Sequence, residues 1–293
     1  MIEIRLWLRV VRIRFLLASI IGVSNGLALS LLYSQIDLFN AILTYLGIIA
    51  LHASVDLLND YWDYKRGIDL ITKRTKFSGG TGVLPEGLLN PKDVYRVGLI
   101  MLIIGSTVGI YFIAIKGIVI ALLLTFAIIS IYFYSNKIVN LGLGEIFVAI
   151  KGCMIVLGTF YIQVNSIPFD AMLNGIIIGI LSSTVLFINS FPDYDADKSK
   201  GRKTLVIILG KDKASKLFLF FPLIIYSIII IGILSNLITI YALLTFLALF
   251  FLINAIRRIR KIRDADLYVM NNTLKFSRSV GLLLLLSYIL DVI

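Results

Sequence analysis

The chain reads as an all-α integral membrane protein, and three observations predict it. Hydrophobic residues make up 59% of its 293 positions, and its mean hydropathy is +0.97, well above a soluble domain of this size. Apolar runs of about 17–25 residues, the length a bilayer core requires, recur from end to end. The runs are continuous rather than alternating, which excludes a β-barrel.

The runs predict nine spans at about 15–33, 38–59, 97–115, 117–135, 145–164, 170–190, 216–234, 237–255 and 277–292. Charge orders them. With the N-terminus on the cytoplasmic side, the first inner segment carries Arg5, Arg9, Arg12 and Arg14. The second carries Lys65, Arg66, Lys73, Arg74, Lys76, Lys92 and Arg96, and the third Lys137. The fourth carries Lys198, Lys200, Arg202, Lys203, Lys211, Lys213 and Lys216. The fifth carries Arg257, Arg258, Arg260, Lys261, Arg263, Lys275 and Arg278. Of the 28 Lys and Arg, only Lys116 falls outside and Lys151 within a span. This segregation follows the positive-inside rule. A cell-membrane location follows, with one multi-pass domain over residues 1–293. Its two long loops, about 60–96 and 191–215, face the cytoplasm.

Composition narrows the chemistry. The single Cys153 lies in an apolar run and rules out an intrachain disulfide or a cysteine metal site. The lone His52 rules out a multi-histidine site and is expected as a packed or hydrogen-bonded helix residue. Topology accounts for the net charge of +11, so no nucleic-acid partner is expected. The first run is long and lacks a small-residue cleavage site, so a cleaved signal peptide is not expected. Oligomeric state leaves no trace in the sequence.

The acids carry the function. Only 17 Asp and Glu occur, and six of them cluster where two apolar runs end. One cluster is Asn59-Asp60-Tyr61-Trp62-Asp63, continuing to Asp69. The other is Asn189-Ser190-Phe191-Pro192-Asp193-Tyr194-Asp195-Ala196-Asp197. Both contain Asn-x-x-x-Asp. Residues four apart share a helix face, so Asn59 aligns with Asp63, and Asn189 with Asp193 and Asp197. Asp56, Asp60 and Asp63 form a further stripe. Pro192 bends or ends its helix near Asn189. Oxygen donors without Cys or His suit Mg²⁺ or Ca²⁺. Two facing clusters suit a pyrophosphate held between two or three such ions. Lys73, Arg74, Lys76, Lys198, Arg202 and Lys203 lie beside them and suit phosphate oxygens. Acids at such depth are costly and mark function.

The first long loop holds Phe77-Ser78-Gly79-Gly80-Thr81-Gly82-Val83-Leu84-Pro85-Glu86-Gly87. No Lys-Ser/Thr follows the glycines, so it is not a P-loop. It reads either as a flexible connector or as a backbone cradle for an anion.

At these residues the chain resembles the UbiA superfamily of intramembrane prenyltransferases. Asn59, Asp60 and Asp63 match the superfamily's Asn-Asp-x-x-Asp-x-x-x-Asp, whose last Asp is replaced by Gly67, with Asp69 two residues later. That form is similar to the branch that prenylates dihydroxynaphthoate in menaquinone synthesis. So are Phe77-Ser78-Gly79-Gly80, Gly142-Leu143-Gly144-Glu145, and Gly201-Arg202-Lys203-Thr204-Leu205 after the second motif. The resemblance spans the chain. It implies nine helices in a ring around a central cavity. It implies that Asn59, Asp63, Asp193 and Asp197 bind Mg²⁺, two or more ions, bridged by a polyprenyl diphosphate. Asp60 and Asp69 would support them. Lys198 and the Lys73–Lys76 cluster would contact diphosphate. Arg12 and Arg14 match a family basic pair and are assigned to diphosphate or the acceptor carboxylate. Gly67 leaves the third ligand of the first motif open.

The implied reaction is prenyl transfer to an aromatic acceptor in quinone biosynthesis. Stabilising the departing diphosphate ionises the allylic donor. The allylic cation then needs a dry, electron-rich cavity, and Tyr132, Tyr134 and Tyr161 are candidates to face it. Asp60, Asp69, Lys198 and Tyr134 are the expected catalytic set. Two alternatives stand. One is another acceptor, such as hydroxybenzoate, haem, a chlorophyll precursor or geranylgeranylglyceryl phosphate. The other is a cation-coupled transporter, which predicts midplane sites and broken helices instead of acids at one edge.

Overall fold

The computed structural model describes residues 2–135, 137–262 and 264–293, with Ile2, Glu3 and Ile262 described by backbone alone. Arg263 of the fifth basic segment lies outside the described residues. Regular structure among them is helical. In order the helices are α1 (Ile2–Val10), α2 (Ile13–Ser30), α3 (Leu38–Lys65), α4 (Pro91–Lys116) and α5 (Ile118–Phe133). After them come α6 (Gly144–Val164), α7 (Phe169–Asn189), α8 (Tyr194–Ser199), α9 (Leu205–Leu209) and α10 (Lys211–Leu217). The last are α11 (Phe220–Leu234), α12 (Leu249–Ile262) and α13 (Leu267–Val292). Short 3-10 segments cover Ile138–Leu141 and Ile240–Ala248.

Local chemistry sets the helix ends. Asp37 caps α3 by accepting from the Asn40 N–H at 3.0 Å, and Asp266 caps α13 through Val269 N–H at 3.0 Å. Asn90 caps α4 through Lys92 N–H at 2.9 Å, with Pro91 at the first helical position. Gly117, at φ 78°, turns α4 directly into α5.

Eight segments are long and apolar enough to cross a membrane: α2, α3, α4, α6, α7, Lys211–Leu234, Ile240–Lys261 and α13. The expected fourth span, α5, is apolar but only 16 residues long. Five expected boundaries change. The third span starts at Pro91 rather than 97 and the eighth runs to Lys261 rather than 255, so Lys92, Arg96, Arg257, Arg258, Arg260 and Lys261 sit on helices. The first acidic motif lies inside α3, which continues to Lys65, so the first inner loop starts after it. The seventh span starts at Lys211 rather than 216. The last span begins at Leu267 rather than 277, so Lys275 and Arg278 sit on its helix and not in a loop. Polar Asn271, Asn272 and Lys275 hid that start from a hydropathy reading, although Asn272 is buried.

Successive helices pack in order from α2 to α7. α7 then packs on α11, α11 on the 3-10 segment, and that segment on α13, which returns to α2 and α7. In lipid the apolar surface supplies little drive for helix association, so close packing and polar contacts decide it. The tight α6–α7 pair shows this. A Cβ at Gly152 would lie 2.8 Å from the Gly179 Cα. Asn25 of α2 donates to the Gly281 carbonyl of α13 at 3.0 Å, and Ser54 of α3 to the Gly98 carbonyl of α4 at 2.8 Å. Outward residues such as Ile103, Ile110, Leu122, Leu223, Leu247 and Phe250 stay exposed, as lipid-facing residues do. Phe187, Phe218, Phe276 and Tyr288 fill a solid core under α7, α11 and α13. A cavity of about 410 Å³ remains on the other side, walled by α2 to α7 and α13.

Candidate active site

The cavity is apolar over most of its depth and acidic at one end. Gly47, Val108, Phe112, Leu123 and Ile162 line the apolar part. His52, Asp56, Asn59 and Asp63 also line it, because spacings of three and four residues put them on one face of α3. Asn189, Asp193, Asp197 and Arg202 line the same acidic end, with Asp69, Gly79 and Gly80 from the first loop. Asn189 and Asp193 do not share a helix as the spacing predicted. α7 ends at Asn189, Pro192 lies in the turn, and Asp193 precedes α8. Both still face the cavity, since the turn carries the chain back over it.

The first loop is held in place rather than free. Asp60, fully buried, accepts from Thr81 N–H at 3.1 Å and Thr81 Oγ1 at 2.6 Å. It also pairs with Arg12 at 3.1 Å. Gly79 N–H donates to Asp193 Oδ2 at 3.2 Å. Thr75 Oγ1 accepts from Ser78 N–H at 3.0 Å and closes a turn. Arg9 donates to the Thr81 carbonyl at 2.8 Å, and Arg9 and Arg74 pair with Glu86. The Gly79–Gly80 segment therefore ties the first motif to the second. Gly80 has φ 72°, and a Cβ there would meet the Asp69 carboxylate at 2.5–2.6 Å.

Electrostatics at this end favour added cations. Burial, reinforced by Asp63 and Asp60, pushes Asp69 up to about 8. Burial and Asp197 push Asp193 up to about 7, and burial likewise raises Asp197. Asp69 Oδ2 and Asp193 Oδ1 are buried without a hydrogen-bond partner among the described residues. Buried unpaired carboxylate oxygens are costly, and a hard divalent ion would satisfy them. The donor set, all carboxylate and amide oxygen, fits Mg²⁺. Among the described residues no three acidic or histidine side chains converge on one point. The Arg202 guanidinium stands between the motifs, paired with Asp63 and, at 3.3 Å, with Asp197. Burial works against its charge, but those two carboxylates outweigh it and raise its pKa.

The remaining expected residues divide. Asn59 lines the cavity and accepts from Ser135 Oγ at 2.5 Å. Arg12, Arg14 and Tyr134 line it too. Asp60 does not, because its carboxylate is spent on Thr81 and Arg12. Lys73, Arg74, Lys76, Lys198 and Lys203 are exposed and outside the lining. Lys198 rests over the Tyr194 ring at 5.4 Å. Tyr132 and Tyr161 are also outside the lining, and the Tyr161 hydroxyl donates to the Lys116 carbonyl at 3.3 Å. His52 is hydrogen-bonded as expected, 2.6 Å from Ser19 Oγ, yet it faces the cavity. Sequence reasoning passed over Lys151, Glu145 and Arg278 as lining residues. A lysine inside a span was the available signal for the first of these.

Comparison with known proteins bears on the family and the fold. A model of the UbiA prenyltransferase family matches residues 19–276. A 1,4-dihydroxy-2-naphthoate octaprenyltransferase of Bacillus subtilis is 30% identical over 209 residues, covering 70% of this chain and 66% of the relative. The match thus spans just under two thirds of that relative's length. Among solved structures, an apo UbiA homologue from Aeropyrum pernix superposes with a TM-score of 0.72 at 15% identity, over 94% of this chain and 98% of that one. A UbiA homologue from Archaeoglobus fulgidus bound to GPP and Mg²⁺ gives 0.61 at 14% identity, over 98% and 99%. At such identities the likeness is one of fold.

Proposed function

The chain belongs to the UbiA prenyltransferase family, and from that premise we propose that it transfers a polyprenyl group from an isoprenyl diphosphate to a hydroxylated aromatic acid of the dihydroxynaphthoate type. The observation that carries this proposal is the cavity itself. One end gathers the acids and Arg202, and most of the rest is apolar, the environment an isoprenoid chain requires. The naphthoate-prenylating relative and the Mg²⁺-bound homologue support the acceptor and the metal.

In the proposed enzyme, residues 1–293 act as one domain with nine crossings, α5 included, and a cytoplasmic N-terminus. The acidic end then faces the cytoplasm, where a soluble diphosphate headgroup enters. Asn59, Asp63, Asp193 and Asp197 hold Mg²⁺, two or more ions, and Asp69 supports them with its unpaired oxygen. Bound Mg²⁺ supplies charge stabilisation to the departing diphosphate. Asp60 acts at one remove, by fixing Thr81 and Arg12. Arg12, Arg14 and Arg202 line the diphosphate end, with Lys73, Arg74, Lys76, Lys198 and Lys203 as an outer basic collar. The C–O bond breaks with its electron pair on the diphosphate oxygen. A ring carbon of the acceptor forms the new C–C bond, and its carboxylate leaves as carbon dioxide. The ring of Tyr134 and the apolar wall keep water from the allylic cation.

The test uses purified protein, labelled geranylgeranyl diphosphate and Mg²⁺, with 1,4-dihydroxy-2-naphthoate, 4-hydroxybenzoate and geranylgeranylglyceryl phosphate as acceptors. Prenylated naphthalene forms with wild type, and Asp63→Ala, Asp193→Ala and EDTA each abolish it. Transfer only to the glyceryl phosphate would refute the acceptor class. Absence of any Mg²⁺-dependent diphosphate release would refute prenyl transfer.

A further inference from the structure

Below the acidic end the cavity holds a second polar group that neither acidic motif contains. On α3, Asp56 lies seven residues before Asp63, about 10 Å deeper along the helix axis. Its Oδ2 is buried and accepts no hydrogen bond among the described residues. His52 Nε2 stands 3.4 Å from that oxygen, and His52 Nδ1 is 2.6 Å from Ser19 Oγ on α2. On α6, Lys151 lies seven residues into the helix, again about 10 Å along its axis. It lines the same cavity. No hydrogen bond or ion pair satisfies it among the described residues, although Asp56 is close enough to act on it electrostatically.

A lysine in a membrane span normally snorkels toward the headgroups. Lys151 instead faces the cavity, which is apolar over most of its depth. Ionisable groups so placed line a substrate path. Leaving Lys151 without a partner and Asp56 Oδ2 without a hydrogen bond among the described residues, the His52 ring at 3.4 Å aside, costs stability, and the fold carries that cost beneath the diphosphate end. A molecule that satisfies both needs an anionic group for Lys151 and a hydroxyl donor for Asp56, on a flat apolar frame.

Resting on the prenyl-transfer reading above, we propose that Lys151, with the Ser19–His52–Asp56 string, is the subsite that positions the acceptor. Lys151 takes a ring carboxylate, and Asp56, oriented by His52, accepts from a ring hydroxyl. The acceptor that fits carries a carboxylate and a hydroxyl on one apolar frame, seated between the diphosphate end and the apolar chamber.

The test compares two probes by calorimetry on the full chain in nanodiscs: 1-hydroxy-2-naphthoate and 1-naphthol, which lacks the carboxylate. A hydrogen bond to a charged group contributes about 1.5–3 kcal/mol, so wild type binds the acid roughly 10- to 100-fold more tightly than the naphthol. Lys151→Met loses that preference and keeps its affinity for geranylgeranyl diphosphate with Mg²⁺, which also reports that it is folded. Lys151→Arg, with the charge restored, recovers the preference. If the Met variant does not fold, Lys151→Gln carries the same comparison. A Met or Gln variant that binds donor normally and still prefers the acid overturns the subsite. So does equal binding of both probes by wild type. Prenyl transfer by wild type alongside such a result leaves the function standing and the subsite alone refuted. Discrimination at Lys151 without any prenyl transfer refutes the function and leaves an aromatic-acid site.

Discussion

Asp60→Asn is the sharpest test of how the first loop is held. The substitution keeps the side-chain volume and removes the charge. Asp60 is fully buried and takes three contacts: Thr81 N–H at 3.1 Å, Thr81 Oγ1 at 2.6 Å and Arg12 at 3.1 Å. Asparagine can still accept from the Thr81 backbone. Arg12 donates to that same oxygen and keeps a hydrogen bond there, but it loses the ion pair. One charge-assisted contact is therefore lost, about 1.5–3 kcal/mol. The cost falls on loop opening rather than on the bundle, since the helices around α3 hold one another independently. The loop carries its own reporter in Lys73, Arg74 and Lys76, all exposed. Trypsin cleavage there tracks the open population when reclosing outpaces cleavage. Asp60→Asn thus raises the cleavage rate about 10- to 100-fold at each tenfold per 1.4 kcal/mol. Thr81→Val removes the hydroxyl's bond to the same carboxylate, also charge-assisted, about 1.5–3 kcal/mol, and raises cleavage by a similar factor of about 10- to 100-fold. Cleavage of folded Asp60→Asn at the wild-type rate would refute the latch.

Three further outcomes follow from the same site. Asp193 and Asp69 sit at about 7 and about 8, above their ordinary 3.8. The metal-free fold therefore favours their protonated forms, a stabilisation present at low pH and lost as pH rises through those values. Metal-free thermal stability accordingly falls between about pH 4 and pH 8, whereas Mg²⁺ affinity rises across that window with proton release, seen by titration calorimetry in two buffers; a flat profile counts against the buried carboxylates as the metal end. Gly80→Ala places a methyl 2.5–2.6 Å from the Asp69 carboxylate at φ 72°, which costs about 1–2 kcal/mol from the backbone alone; product formation drops while micelle-extracted protein remains folded, and unchanged activity would argue against the Gly80–Asp69 contact. Gly152→Ala forces α6 from the Gly179 Cα, 2.8 Å from the new methyl, at about 1–3 kcal/mol of overpacking; the melting temperature falls, and a rise would mean that α6 and α7 are not closely packed.

Much of the fold was written in hydropathy and charge, because a bilayer demands long apolar helices and leaves basic residues in the loops. That is why eight spans agree with their expected places to within a few residues at most ends. Where buried polar residues continue a helix, as over 267–276 in α13, hydropathy ended it too soon. The acidic motifs were equally legible, since helix spacing alone aligns Asn59 with Asp63.

What the sequence by itself determined is therefore a helical membrane protein with two acidic, oxygen-only ligand clusters at one edge. Only the tertiary structure decided which side chains share a space. It sent Asp60 to Thr81 and Arg12 and left Asp69 facing the cavity with an unpaired oxygen. It put Arg202 between the motifs and left Lys198 over Tyr194, outside them. It brought Lys151 to the cavity that Asp56 lines. The physical reason is range. Periodicity orders neighbours along one helix, whereas charges pair through space, and the partner of each buried charge is set by how α3, α6 and α7 pack.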